Sequence, residues 1–195
     1  MYRKYFKSIL DYLILGLTMP IWLGLIFLIS IFNLLSFRGK VFFLHQRPGL
    51  DCKPFQVIKF RTLEKGNRSI SKWHSFLRNS GLDEIPQLLN VLKGEMSLVG
   101  PRPLLMEYLD HYDEEQIQRH KVKPGITGLS QINARNLQSW EAIFESDLQY
   151  VRKLSLLLDL KILFKTPIEK WSYRFDPKLS LKWKEGPVRS NLINP

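Results

Sequence analysis

The chain has 195 residues, with 29 Lys+Arg against 18 Asp+Glu and a net charge of +11. That length suits one domain with an appended segment and buries a core without covalent staples. A hydrophobic content of 45% excludes wholesale disorder. The single cysteine, Cys52, excludes an intrachain disulfide framework, and with four scattered histidines it argues against a structural zinc site. The basic excess calls for an anionic partner, either nucleic acid or an anionic membrane leaflet.

The distribution of apolar residues separates the two. Residues 12–37 carry no charge over 26 positions, a helix of roughly 39 Å against a bilayer core of about 30 Å. The run is too long for the core of a secretory signal, and its exit, Asn33-Leu34-Leu35-Ser36-Phe37-Arg38, lacks a small-residue cleavage pattern. Arg3, Lys4 and Lys7 precede it, and Arg38, Lys40 and Arg47 follow it. Both flanks therefore satisfy the preference of basic residues for the cytoplasmic side. Pro20 lies within the run, lacks an N–H and kinks a helix. From the residues alone, a helix that re-enters on the same face and one that spans are equally open. A nucleic-acid binder leaves this run unexplained and shows no nucleic-acid motif, so no nucleic-acid partner is expected.

Residues 40–46 read as a strand, 47–51 as a turn and 54–61 as the returning strand of a basic β-hairpin. A polar loop follows over 64–71. Helical spacing appears over 71–79 and again over 86–92, the second ended by Lys93-Gly94. Residues 97–100 read as a short strand, 104–122 as a helix rich in acidic residues, and 124–128 as a turn-rich loop. A long amphipathic helix is predicted from 140 to 160, continuing toward Phe164. In the tail from 166, four prolines exclude a long helix. There Trp171, Tyr173, Phe175 and Trp183 interleave with Lys170, Arg174, Lys178, Lys182 and Lys184. That interleaving suits either a membrane interface or packing back on the domain.

The chemistry concentrates at Ser80-Gly81-Leu82-Asp83-Glu84-Ile85-Pro86-Gln87. The spacing of Ser80 and Asp83 is that of a capping box. In the same geometry a carboxylate in a first helical turn is kept ionised by the macrodipole, and nearby N–H groups can hold a phosphate. Glu84 offers oxygen ligands for a hard cation such as Mg²⁺. Lys59, Arg61, Arg78, Arg102 and Arg135 are separated cations that, if they converge on this pair, suit a diphosphate substrate. Pro101 and Pro103 restrict the backbone on either side of Arg102.

Several segments resemble, in order and with compatible spacing, the bacterial sugar transferase family, the small monotopic phosphoglycosyl transferases. They are Gln46-Arg47-Pro48-Gly49, Lys59-Phe60-Arg61-Thr62, Leu82-Asp83-Glu84-Ile85-Pro86-Gln87-Leu88, the stretch from Asn90-Val91-Leu92-Lys93-Gly94 to Gly100-Pro101-Arg102-Pro103, Val122-Lys123-Pro124-Gly125-Ile126-Thr127-Gly128 with Asn133-Ala134-Arg135, and Asp159-Leu160-Lys161-Ile162-Leu163. The resemblance implies an α+β fold with a re-entrant N-terminal membrane helix broken at Pro20, a small β-hairpin and a mostly helical cytoplasmic globular domain. The corresponding division is 1–37 membrane helix, 38–165 catalytic domain and 166–195 basic-aromatic tail. It departs from the family at Met19-Pro20, where members carry Ser-Pro, and at Arg47-Pro48-Gly49, where many have Arg-Val-Gly.

The implied activity is transfer of a phospho-sugar from a UDP-sugar to undecaprenyl phosphate, with release of UMP, at the cytoplasmic face of the bacterial inner membrane. Short members often use N-acetylated amino sugars. The resemblance makes Asp83 the nucleophile of a ping-pong scheme and Glu84 the Mg²⁺ ligand. Arg78, Arg102, Arg135 and Lys59 become phosphate contacts, and Pro101 and Pro103 border the nucleotide. Asp147 matches a further acidic position of the family. Membrane lipids are expected partners, and the sequence is compatible with a homodimer. The alternative from another class is a non-catalytic basic membrane-associated protein.

Overall fold

Charge is absent from the middle of the first helix because that helix has two apolar surroundings. Helix α1 (Lys7–Ser36) follows a π-helical turn, Tyr2–Phe6. One narrow stripe of it is buried, comprising Lys7, Asp11, Leu15, Trp22, Ile29 and Asn33. The remaining faces expose Leu13, Leu17, Ile21, Phe27, Leu28 and Leu35. An apolar surface of this extent on a helix long enough to cross a bilayer is a membrane face, and the chain is membrane-associated through it.

The computed structural model describes residues 2–36, 39–63, 71–133 and 139–173, with the side chains of residues 4, 5 and 168–173 outside the description. Pro20 lies inside α1, and the helix is not divided there into two elements. Thr18 Oγ1 donates to Ile14 O (2.7 Å), and the indole of Trp22 donates to Leu15 O (3.1 Å). These side-chain donors add hydrogen bonds to the turn just before Pro20, which itself supplies no N–H.

Strands β1 (Phe42–Pro48) and β2 (Pro54–Phe60) form the expected antiparallel hairpin, with Phe42 opposite Phe60 and Pro48 opposite Pro54. Its turn holds a 3₁₀ turn, Leu50–Cys52, in which Asp51 and Cys52 have positive φ. Helix α2 (Lys72–Ser80) starts at Ser71, whose hydroxyl accepts from His74 N. Helix α3 (Gln87–Leu92) is tied to the hairpin by Asn90, which is fully buried. Its amide donates to Gln56 O (2.7 Å) and accepts from Ile58 N (3.0 Å).

A second, parallel pair joins β3 (Ser97–Val99) to β4 (Gly125–Thr127), so the segment read as a turn-rich loop is partly a strand. Residues 104–122 form two 3₁₀ segments, Met106–His111 and Gln116–Lys121, instead of one helix. Asp113 Oδ1 accepts from the N–H groups of Glu115 and Gln116, an Asx turn that competes with helix continuation. Short α4 (Leu129–Ile132) leads to α5 (Trp140–Lys153) and α6 (Leu156–Tyr173). The single long helix expected from 140 divides because Leu154 is extended (φ −52°, ψ 117°) and Ser155 starts a new turn through Asp159 N. Helix α6 runs through Pro167, so the exclusion of helix from 166 onward is corrected as far as Tyr173. The rest of the tail and the polar loop over 64–70 lie outside the described residues.

Two hydrophobic clusters join α1 to these parts. Leu15 and Trp22 of α1 pack with Phe55, Val57, Val91, Met96, Tyr150 and Ile162, and Ile29 packs with Phe60 and Leu77. The helix is held at both ends. Lys7 pairs with Asp159 at 2.6 Å, and Asn33 donates to Arg61 O at 3.0 Å. These anchors lie 26 residues apart, roughly 39 Å along the axis.

Candidate active site

Helix α2 stops at Gly81, whose φ of +73° is the left-handed conformation that a side chain strains to adopt. Its N–H donates to Arg78 O (3.2 Å). One 3₁₀ turn, Leu82–Glu84, follows before α3. Ser80 is the last residue of α2, and its hydroxyl donates back to Phe76 O (2.8 Å). The capping-box expectation is therefore corrected, and Asp83 precedes the six-residue α3 instead of lying in its first turn.

This turn presents two adjacent carboxylates with opposite surroundings. Glu84 Oε1 receives Lys59 Nζ and Arg102 Nη2, each at 2.7 Å, and Oε2 lies 3.4 Å from Arg102 Nη1. Asp83 is half-buried, and among the described residues no cation pairs with it in this way. Burial first and the neighbouring Glu84 second push its carboxyl up to about 6, against the pull of Lys59, Arg78 and Arg102. The helix dipole expected to keep it ionised is thus outweighed by desolvation. It still loses its proton near neutral pH. Lys59 is itself pushed down, chiefly by burial, while Glu84 favours its charge.

The surrounding backbone is fixed by close approach. A Cβ on Gly125 would lie 2.0 Å from Gly100 N, and one on Gly128 would lie 2.3 Å from Gly100 O. Only glycine permits β3 and β4 to meet there, with Gly125 N donating to Pro101 O (3.0 Å). This contact carries Pro101, Arg102 and Pro103 to the carboxylates. Beneath them Arg119, almost fully buried, donates to Arg102 O (2.9 Å) and pairs with Asp147 (2.6 Å), which also accepts from Ser130 (2.7 Å). Asp147 therefore neutralises a buried guanidinium and does not face the dyad's cations.

Of the residues singled out in the sequence, Lys59 and Arg102, the latter between Pro101 and Pro103, meet Glu84 beside Asp83, while Arg78, exposed near the end of α2, acts on Asp83 through its charge. Arg61 supplies the carbonyl that anchors Asn33. Arg135 lies outside the described residues. Arg47, singled out only as a membrane flank and part of a motif, is brought near Arg102 and Glu84 by the hairpin. The signal was the strand alternation that places it on the same face as Lys59.

The oxygen donors suit Mg²⁺ of a particular kind. Among the described residues no three metal-ligating side chains cluster. Mg²⁺ commonly takes one or two carboxylates and completes its shell with substrate phosphates and water. Asp83 and Glu84 provide two adjacent carboxylates near the cations Lys59 and Arg102, a donor set that fits such a shared site.

Residues 2–172 match the family described as "Bacterial sugar transferase". The chain is 54% identical over 139 residues to the "Uncharacterized sugar transferase EpsL" of Bacillus subtilis (strain 168), covering 66% of this chain and 69% of that one. It is 35% identical over 187 residues to the "Exopolysaccharide production protein ExoY" of Rhizobium meliloti (strain 1021), covering 82% and 83%. It is 41% identical over 152 residues to the "UDP-glucose:undecaprenyl-phosphate glucose-1-phosphate transferase" of Escherichia coli (strain K12), covering 68% of this chain and 33% of that protein. The chain thus spans about a third of the length of that relative and most of the length of the other two. With nearly its whole length matched and a carboxylate pair set among Lys59, Arg78 and Arg102, the chain belongs to the bacterial sugar transferase family and is an enzyme of that class.

Proposed function

We propose that this enzyme transfers a phospho-sugar from a UDP-sugar to undecaprenyl phosphate and releases UMP, at the cytoplasmic face of the bacterial inner membrane. The observation that carries the reading is the unlike environment of two adjacent carboxylates. Glu84 is neutralised by Lys59 and Arg102, and Asp83 is left able to lose its proton and attack. The names of several relatives, which specify a UDP-glucose donor and undecaprenyl phosphate, support the substrate class.

In the proposed scheme the Asp83 carboxylate attacks the phosphorus that bears the sugar. An aspartyl O–P bond forms, the bridging P–O bond of the diphosphate breaks, and UMP departs with that oxygen. A phosphate oxygen of undecaprenyl phosphate then attacks the same phosphorus, breaks the aspartyl bond and restores the carboxylate. Lys59, Arg78 and Arg102 orient the diphosphate and offset its charge, as phosphoryl transfer requires. Glu84, with Asp83 beside it, would hold Mg²⁺, which when bound neutralises the diphosphate and the leaving UMP. The donor sugar is proposed to be an N-acetylated amino sugar, with glucose as the second candidate from the relatives' names.

The test is UMP release by the full chain in nanodiscs with Mg²⁺, undecaprenyl phosphate and a panel of UDP-sugars that includes both candidates. Acceptor-dependent release with one donor, abolished in Asp83→Asn, is expected. An active Asp83→Asn variant, or no release with any donor from folded protein, would overturn the proposal.

A further inference from the structure

The hairpin carries a second cation toward the site. Directly opposed residues of an antiparallel pair share a face, as do alternate residues of one strand. Phe43 opposes Lys59, His45 opposes Val57 and Arg47 opposes Phe55, so Lys59, His45 and Arg47 lie on one face of the hairpin. Val57 and Phe55 are buried there, and the Phe43 and His45 rings stack at 5.7 Å. This face is turned to the domain, where Lys59 meets Glu84 at 2.7 Å.

Arg47 stands on the same face two residues beyond His45 and four positions from the Lys59 register. It is half-buried, and among the described residues no carboxylate lies within ion-pair distance of it. The positive charge of Arg102 acts on it unfavourably. Burial first and Arg102 second hold Arg47 down to about 10, against the weaker opposing pull of Glu107, Tyr108 and Glu84. The backbones of the two arginines are held from one short segment. In Gln116–Lys121, Arg119 donates to Arg102 O (2.9 Å) and His120 Nδ1 meets Gly49 O (3.3 Å) in the turn that follows Arg47. His120 is held down to about 4 by burial and by Arg119, so its neutral ring donates to that carbonyl. The two arginines are therefore held from one segment; Arg102 is paired with Glu84, and a phosphate that also reaches Arg47 would give it the anionic partner the hairpin does not supply.

We propose that Arg47 and Arg102 together bind a substrate phosphate, with Arg47 forming the hairpin wall of the phosphate site opposite the Asp83–Glu84 turn. The inference rests on the phosphoglycosyl transferase reading above. The phosphate belongs either to the donor's diphosphate or to the acceptor's monoester, and the chemistry of recognition is the same.

The test uses the full chain in nanodiscs, as wild type, Arg47→Gln and Arg47→Lys, with inorganic pyrophosphate as a binding probe read by thermal shift and with both half-reactions followed separately. Arg47→Gln is expected to unfold at the wild-type temperature without ligand, to bind pyrophosphate about 10–100-fold more weakly, and to be partly rescued by Arg47→Lys. A raised KM for the UDP-sugar with a slowed UMP burst assigns the phosphate to the donor. A raised KM for undecaprenyl phosphate alone assigns it to the acceptor. Wild-type pyrophosphate binding that is unchanged in Arg47→Gln, with both KM values within about twofold, overturns the role of Arg47 and leaves the proposed function intact. Failure of the wild type to bind pyrophosphate or to release UMP overturns both.

Discussion

Replacing Asp83, the proposed nucleophile, is expected to stabilise the free enzyme. Asp83 is lifted from 3.8 to about 6 by burial and by Glu84, so the folded state holds its proton more tightly than the unfolded state does. A carboxyl raised in this way costs nothing below pH 3.8, where both states are protonated, and destabilises increasingly as pH rises through 6. With 1.36 kcal/mol for each tenfold change, the full cost is about 3 kcal/mol at pH 8 and about 1.6 kcal/mol at pH 5. Asp83→Asn keeps the shape and removes the charge. Its stability advantage over wild type should be near 1.6 kcal/mol at pH 5 and widen to near 3 kcal/mol at pH 8, by urea unfolding of the nanodisc-held protein. In the proposed mechanism the same ionisation governs attack, so kcat/KM for UMP release in wild type should rise through about pH 6 and level off. A gap that stays constant or narrows with pH would refute the burial-and-repulsion account of Asp83.

Three further outcomes follow from neighbouring contacts. Glu84→Gln removes the second cause of Asp83's rise, so the acid limb of kcat/KM should move to lower pH while kcat falls at least ~100-fold, a loss typical of removing one preorganised charge. Gly125→Ala places a Cβ 2.0 Å from Gly100 N; with backbone on the other side of the clash, loss of folded protein by gel filtration, or at least ~3 kcal/mol of stability, is expected. Asn90→Ala strips hydrogen bonds to Gln56 O, Ile58 N and Glu95 from a fully buried site and should cost about 2–4 kcal/mol in urea unfolding.

What could be read from the sequence was what short-range chemistry decides. The hairpin follows from alternation between 40 and 61 and from the turn residues at Pro48 and Gly49. The dyad was visible because its two carboxylates are adjacent. Its electrostatics were not, since the rise at Asp83 depends on burial and on where Lys59 and Arg102 fall, and Lys59 reaches Glu84 across 25 residues. The parallel β3–β4 pair was hidden because glycine–glycine backbone contact leaves no hydrophobic periodicity. Residues 104–122 resembled a helix by composition, yet Asp113 captured the N–H groups that helix continuation needs. Arg47 looked like a membrane flank until the register placed it across from Phe55.

The attachment of α1 bears on where the reaction takes place. A spanning helix can touch a domain on one side of the membrane only near one of its ends. Here a single domain holds Lys7 through Asp159, Trp22 through the core, and Asn33 through Arg61 O. Crossing the bilayer would strip one of these anchors and place either the buried Lys7–Asp159 pair or the Ile29–Phe60–Leu77 cluster in lipid or on the far side. A path that stays on one face keeps all of them, and it is the arrangement the proposed reaction with a lipid-borne phosphate requires. In a Cys52→Ser background, cysteines introduced as Ser8→Cys and Ser36→Cys should both resist an impermeant maleimide in intact spheroplasts and both react after lysis. Labelling of one and not the other in intact spheroplasts would place the ends on opposite sides and refute the shared-anchor reading.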